Sequence, residues 1–109
     1  MSATIRAKVS ARRFVEVPAL QVVGQWALHG SLKPKTFEVS EHTLTVTHVP
    51  SGLALAYNMA RRDVAETLLA FAHQEAPPGV DPNERAALLR AGARATMGML
   101  APSAPEPAP

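Results

Sequence analysis

Thr43-Leu-Thr-Val-Thr-His-Val-Pro-Ser-Gly-Leu-Ala-Leu-Ala-Tyr57 reads as two strands of alternating character folded back at Pro50-Ser51-Gly52. Threonine, valine and leucine at a period of two favour extended chain. Proline, serine and glycine in succession supply the turn. Closing it over two residues pairs Val49 with Gly52, and hence Leu44 with Tyr57, Val46 with Leu55 and His48 with Leu53. A type I turn with Gly52 as a G1 bulge is the rival and shifts the pairing by one. The first register gathers the large side chains on one face, and a one-residue slip separates them. The other face carries Thr43, Thr45, Thr47, Ala54 and Ala56, all small and uncharged. A hairpin with one apolar face needs a cover.

The segment that follows can supply it. Asn58 is the expected N-cap of a helix from about Met59 to Gln74. Val64, Leu68, Phe71 and Ala72, with Leu69 alongside, make a stripe that would lie on the sheet. Ala76-Pro-Pro-Gly79 ends that helix. Asp81-Pro82-Asn83-Glu84 then places an N-cap aspartate, a proline at N1 and a glutamate at N3. This predicts a second helix running to about Leu100. Leu88, Leu89, Gly92, Thr96, Met99 and Leu100 fall on one side of it, Arg90 and Arg94 on the other. Glycine in mid-helix costs about 1 kcal/mol against alanine, so Gly92 points to another element approaching closely.

Upstream, Ile5, Ala7, Val9 and Ala11 alternate with Arg6, Lys8 and Ser10, which predicts a strand with a basic outer side. Arg12-Arg13 interrupts it, and Phe14-Val-Glu-Val17 resumes it up to Pro18. One bent strand with a bulge, or an arm and a short strand, would both fit. Leu20 to Leu28 reads as one strand with Leu20, Val22, Gly24, Trp26 and Leu28 on one face. His29 to Lys35 reads as a loop. Thr36 to Ser40 reads as a short strand with Phe37 and Val39 inward, and Ser40 to His42 as a turn or a bulge within a longer strand.

The chain of 109 residues has the size of one domain. Hydrophobic residues make up 47 % and charged residues 18 %. Cysteine is absent, which excludes disulfides, thiolate metal sites and cysteine nucleophiles. No apolar run reaches the roughly 20 residues of a membrane span, and the first residues have no signal-peptide pattern. A soluble cytoplasmic protein is expected. Ala101 to Pro109, rich in proline and alanine, is expected to be a disordered tail beyond a single domain of residues 1–100.

The net charge of +2 is unevenly placed. In residues 1–62, eight cations (Arg6, Lys8, Arg12, Arg13, Lys33, Lys35, Arg61 and Arg62) face three acids, a net of +5. Beyond them, three arginines face six acids, a net of −3. Such a division suits an anionic partner. Arg61 and Arg62 would stand at a helix N-terminus, where the dipole disfavours cations. A phosphate could hold them there, or Arg62 could pair with Glu66 at i, i+4.

Catalytic and cofactor motifs are not found. The four histidines lack i, i+4 pairing or a carboxylate at ligand spacing, and His48 reads as a core-edge residue. Ser51 serves the turn, outside any Gly-x-Ser-x-Gly elbow. The glycines are isolated and make no phosphate loop. Aromatic residues are few and mostly claimed by the core, which disfavours stacking of single strands and leaves backbone contacts to a duplex.

The sequence therefore predicts an α+β domain, an antiparallel sheet of about four strands followed by two C-terminal helices, the first packed on the sheet. Its expected core is Val22, Trp26, Leu28, Phe37, Val39, Leu44, Val46, Leu55, Tyr57, Val64, Leu68, Phe71, Leu88, Leu89 and Met99. The expected function is non-catalytic binding, without cofactor or metal. Nucleic acid would be held through the phosphates by the eight cations named. The alternative is a protein partner or a second copy, covering Thr43, Thr45, Thr47, Ala54 and Ala56 or packing on the second helix.

Overall fold

The computed structural model describes residues 3–33 and 35–100, the last four of these by backbone alone. The strands are β1 (Thr4–Ser10), β2 (Arg13–Val23), β3 (Trp26–Leu32), β4 (Val39–His48) and β5 (Ala54–Met59). Helix α1 (Arg62–Glu75), a 3-10 turn (Pro82–Arg85) and helix α2 (Ala86–Leu100) follow. The strands form one sheet in chain order, each antiparallel to the next. Helix α1 packs on β3 and β4. The α+β class and the order of elements are those expected. The strands number five rather than four, and the expected tail of 101–109 lies outside the described residues.

Two tight turns create the extra strand. Ala11-Arg12 turns β1 into β2, with Lys8 opposite Phe14 and Ser10 opposite Arg13. Residues 4–17 are thus a hairpin, neither one bent strand nor a loose arm. Gly24-Gln25 cuts the expected Leu20–Leu28 strand in two, with Val23 opposite Trp26. Gly24 has φ +60, the position glycine takes in a type II′ turn.

Pro18 does not end its strand. Residues 13–18 of β2 pair with β1, and residues 19–23 pair with β3. The Ala19 N–H donates to the Ala3 carbonyl at 2.7 Å. The Pro18 nitrogen therefore faces the opposite way, beyond the last β2–β3 pair, where no ladder bond is required of it. A bulge between Ala19 and Gln21 bends β2 there. Beyond the bend, β1 and the first half of β2 pack against β3 and the β4–β5 loop. Ile5, Ala7, Val17 and Ala27 make the core beneath this hairpin. A second core, including Trp26, Leu28, Val46, Met59, Leu68 and Leu89, lies between the sheet and the helices. The Lys8 N–H donates to the Gly52 carbonyl at 2.8 Å and ties β1 to the β4–β5 loop.

The β4–β5 hairpin is present, but its loop is wider than either expected turn. Gly52 N–H donates to the His48 carbonyl at 2.7 Å, and His48 N–H to the Leu53 carbonyl at 2.8 Å. Val49 to Gly52 are thus a four-residue loop. Thr47 faces Ala54, as in the preferred register, but two irregularities then set Val46 opposite Ala56 and Leu44 opposite Met59. The slip turns Met59 into the core and leaves Tyr57 and Leu53 exposed. Leu55 is half-buried against the core.

Other expected core residues also move outward. Val22 lies in the half of β2 that β1 does not reach, Val39 begins β4, and Leu88 turns away from the side of α2 that buries Leu89; all three are exposed. Phe37 is half-buried in the β3–β4 loop rather than on a strand. Strand β3 runs on through His29 to Leu32, and β4 passes unbroken through Ser40 to His42. The side chain of Met99 is outside the described residues.

Helix α1 starts at Arg62, three residues later than expected. Asn58 belongs to β5 with φ +59, and Arg61 is the N-cap, without a side-chain cap bond. Val64, Leu68, Leu69 and Ala72 are buried, as their stripe requires. Gly92 marks a close approach as expected, since a Cβ there would run into the Phe71 ring. At the start of the 3-10 turn, Asp81 Oδ1 accepts from the Asn83 N–H at 2.9 Å.

Candidate functional site

The structure divides the eight cations into two groups. Lys33 lies 4.0 Å from Glu38, Arg62 lies 3.9 Å from Glu66, and Arg61 is held in two hydrogen bonds by Asp63. All three pairs are exposed, so each contributes little to stability. The Asp63 carboxyl sits below the usual range because the Arg61 guanidinium bonds it. Arg6, Lys8, Arg12, Arg13 and Lys35 are exposed and carry no ion pair among the described residues.

Three of these five rest on aromatic rings. The Arg6 guanidinium is 4.7 Å and the Lys8 ammonium 6.0 Å from the Phe14 ring centre. The Arg13 guanidinium is 4.8 Å from that of Phe37. The β1–β2 turn sets this up, because it places Phe14 across from Lys8. Phe14, outside the expected core, is 39 % exposed, and Tyr57, expected in the core, is 63 % exposed. A cation over a ring face is held at small cost while its outer side stays open to an anion.

Beside this hairpin lies a cleft of about 430 Å³. Its floor is a ladder of small polar groups on neighbouring strands, His29 and Ser31 on β3 with Thr45 and Thr47 on β4. His29 Nε2 is 2.7 Å from Thr47 Oγ1, and Ser31 Oγ is 2.7 Å from Thr45 Oγ1. The Asn58 N–H donates to Ser31 Oγ at 3.1 Å. Lys8, Lys33, Phe37, Tyr57 and Asn58 also line the cleft. Sequence reasoning found the cations but missed the ladder, because His29 and Ser31 were assigned to a loop.

The protonation of His29 follows from its partners. Its Nδ1 is 2.8 Å from the Gly30 carbonyl, which can only accept. The proton therefore sits on Nδ1, and Nε2 accepts from the Thr47 hydroxyl. Burial pushes the His29 pKa down, and the bond to Gly30 opposes this.

The Thr/Ala set does not form the open face expected of it. Thr45 and Thr47 are buried on the floor of the cleft, where Ser31 and His29 bond them. Ala56 is turned into the core on the helix side by the register slip, Thr43 is half-buried and Ala54 is exposed.

His48, half-buried at the edge of the core, joins a separate chain of bonds. Gln25 Nε2 shares its two hydrogens among the carbonyls of Ala76, Pro77 and Val80, which fixes its oxygen toward His48 Nε2 at 2.8 Å. Nε2 must then donate, and His48 Nδ1 accepts from Ser51 Oγ at 2.8 Å. This Ser–His–Gln order has the look of a hydrolytic triad. The neighbouring amides are already committed, however: Leu53 N–H donates to Ser51 Oγ itself, and Gly52 N–H to the His48 carbonyl. The bonds act as a strap from the β2–β3 turn to the end of α1. Among the described residues no cluster of three histidines or carboxylates is placed to hold a metal.

No family model, curated protein or solved structure matches the chain.

Proposed function

We propose that this protein is a non-catalytic nucleic-acid-binding module whose contact surface is the β1–β2 hairpin and the adjoining β3–β4 loop. The observation that carries the reading is the stacking of Arg6 and Lys8 on Phe14 and of Arg13 on Phe37. These cations are oriented without being neutralised, and Arg12 and Lys35 add charge nearby in the chain. Phosphates would meet the guanidinium and ammonium groups, while exposed Tyr57 offers a ring face to an unpaired base. This arrangement favours single strands over duplex. Arg61 and Arg62 have acidic partners on their own helix and fall outside the surface.

Binding of single-stranded and duplex DNA and RNA across a salt series tests the proposal. Affinity should fall steeply with salt, and the combined charge reversal of Arg6, Lys8 and Arg13 should abolish it. No binding at low salt refutes the proposal.

A further inference from the structure

The floor of the cleft holds one more hydrogen than it can use. Thr47 spends its hydroxyl hydrogen on His29 Nε2, and those two groups satisfy each other. Ser31 and Thr45 between them own two hydroxyl hydrogens, and their contact of 2.7 Å consumes one. Ser31 Oγ additionally accepts from Asn58 N–H. Whichever hydroxyl donates to the other, a second O–H remains without an acceptor among the described residues. It sits among buried groups, since Ser31 is 2 % and Thr45 5 % exposed. Both oxygens have protein partners, and the spare O–H is free to donate to an acceptor that enters the cleft.

The backbone supplies an independent sign. Among the described residues other than glycine, φ is positive at three, Lys35, Phe37 and Asn58. Phe37 and Asn58 line this cleft, and Lys35 shares the Phe37 loop. Asparagine tolerates that region, but phenylalanine is rarely found there. Strain of this kind gathers at ligand sites. The volume is within the range of small-molecule sites, roughly 300–1,000 Å³. The lining combines ring faces, hydroxyls and two lysines.

We infer that the cleft receives the base of a nucleotide, an oxygen or ring nitrogen of the base accepting from the Ser31/Thr45 pair while Lys8 and Lys33 meet the phosphate at the rim. The nucleotide is either free or one unit of a single strand, and the second case rests on the reading proposed above. The Lys33–Glu38 contact is long and exposed, so a phosphate can displace it.

The test compares a base-bearing single strand with an abasic strand of equal length, and with free uridylate and adenylate, by amide chemical shifts of the full chain. The base-bearing strand should bind about tenfold tighter than the abasic one, with shifts at Ser31, Phe37, Thr45, Tyr57 and Asn58. Ser31→Ala combined with Thr45→Val should reduce that preference, the remainder coming from the exposed rings, and leave the salt slope unchanged. The wild-type comparison needs no variant, so it holds even if the doubly substituted chain fails to fold. Shifts of these amides by a free nucleotide, with no binding of any strand, would uphold the cleft and overturn the nucleic-acid reading. Equal binding of both strands with shifts confined to the hairpin would overturn the cleft and leave that reading standing. No response to nucleotide or strand at low salt overturns both.

Discussion

Phe37 occupies the same place in the β3–β4 loop that Gly52 occupies in the β4–β5 loop. Phe37 N–H donates to the Lys33 carbonyl at 2.9 Å and Lys33 N–H to the Glu38 carbonyl at 2.8 Å, just as Gly52 and His48 close the later loop. The φ values are +58 and +76. Glycine adopts that region freely, whereas a side chain there costs about 1–2 kcal/mol. Phe37→Gly should therefore remove strain, offset by lost ring contact and added chain entropy. Its stability in urea should stay within about 1 kcal/mol of the parent, while single-strand affinity falls about tenfold with the loss of a stacking ring. Gly52→Ala should behave in the opposite sense. A Cβ there would lie 2.8 Å from the Arg6 carbonyl oxygen and 2.9 Å from the Phe14 ring, so it should cost about 3 kcal/mol.

Acid should weaken the fold through His29 and His48. Burial lowers both below the ordinary value of 6.5; the Gly30 carbonyl opposes this at His29, and the charge of Asp81 opposes it at His48. A histidine so lowered is neutral when folded and gains a proton on unfolding. Between the folded value and 6.5 the unfolded chain binds more protons, so stability rises with pH in that window. The contribution is complete above 6.5 and is lost as the pH falls toward the folded value. His29 must also give up its bond from Thr47 on protonation, since both ring nitrogens then donate. The urea midpoint should drop between about pH 7 and pH 5, where histidine titrates. His29→Gln should flatten that dependence. A midpoint constant across the window would show that His29 is not held neutral.

Gln25 joins parts of the chain that are distant in sequence. The two hydrogens of its side-chain amide are shared among three carbonyls around the end of α1, at 2.8–3.1 Å. Trp26 Nε1 donates to one of these, Ala76 O, at 2.9 Å. Gln25→Leu keeps the bulk and removes every one of the Gln25 bonds. At about 1 kcal/mol per bond, the loss should reach roughly 2–3 kcal/mol. Hydrogen exchange should accelerate at Ala76 and Val80, whose amides close the turns there. Unchanged exchange would mean that the strap does not hold this end of the helix.

The strongly periodic pieces were legible, and the devices that join them were not. Val64, Leu68 and Ala72 declared a helix face, and Thr43 to Thr47 declared a strand. The Gly24-Gln25 turn stayed hidden because alternation continues across a two-residue turn, so Leu20 to Leu28 reads as one strand. The two slips that replace Tyr57 by Met59 leave no mark in composition, since a bulge changes which partner a residue meets rather than what the residue is. Arg6 and Lys8 were visible as the polar side of a strand. Their contact with Phe14 depends on the turn at Ala11-Arg12, and the cleft depends on β2 bending over β3. Both are tertiary facts that a single strand's pattern does not contain.

The two groups of cations should separate in the salt dependence of binding. Arg6 and Arg13 rest on rings and have no carboxylate partner among the described residues, so each is available to a phosphate. Arg61 is already engaged by Asp63 through two nitrogens. For single strands, each phosphate contact contributes about 0.7 to the slope of log affinity against log salt. Arg6→Ala and Arg13→Ala should each reduce the slope by roughly that amount, and together by about twice as much. Arg61→Ala should leave it unchanged. These are surface substitutions at positions that carry no core packing, so stability should hold within about 0.5 kcal/mol. An equal loss of slope from Arg61→Ala would mean that the strand is drawn by overall charge, without choosing the hairpin. A slope indifferent to all three would remove the phosphate contacts from the hairpin altogether.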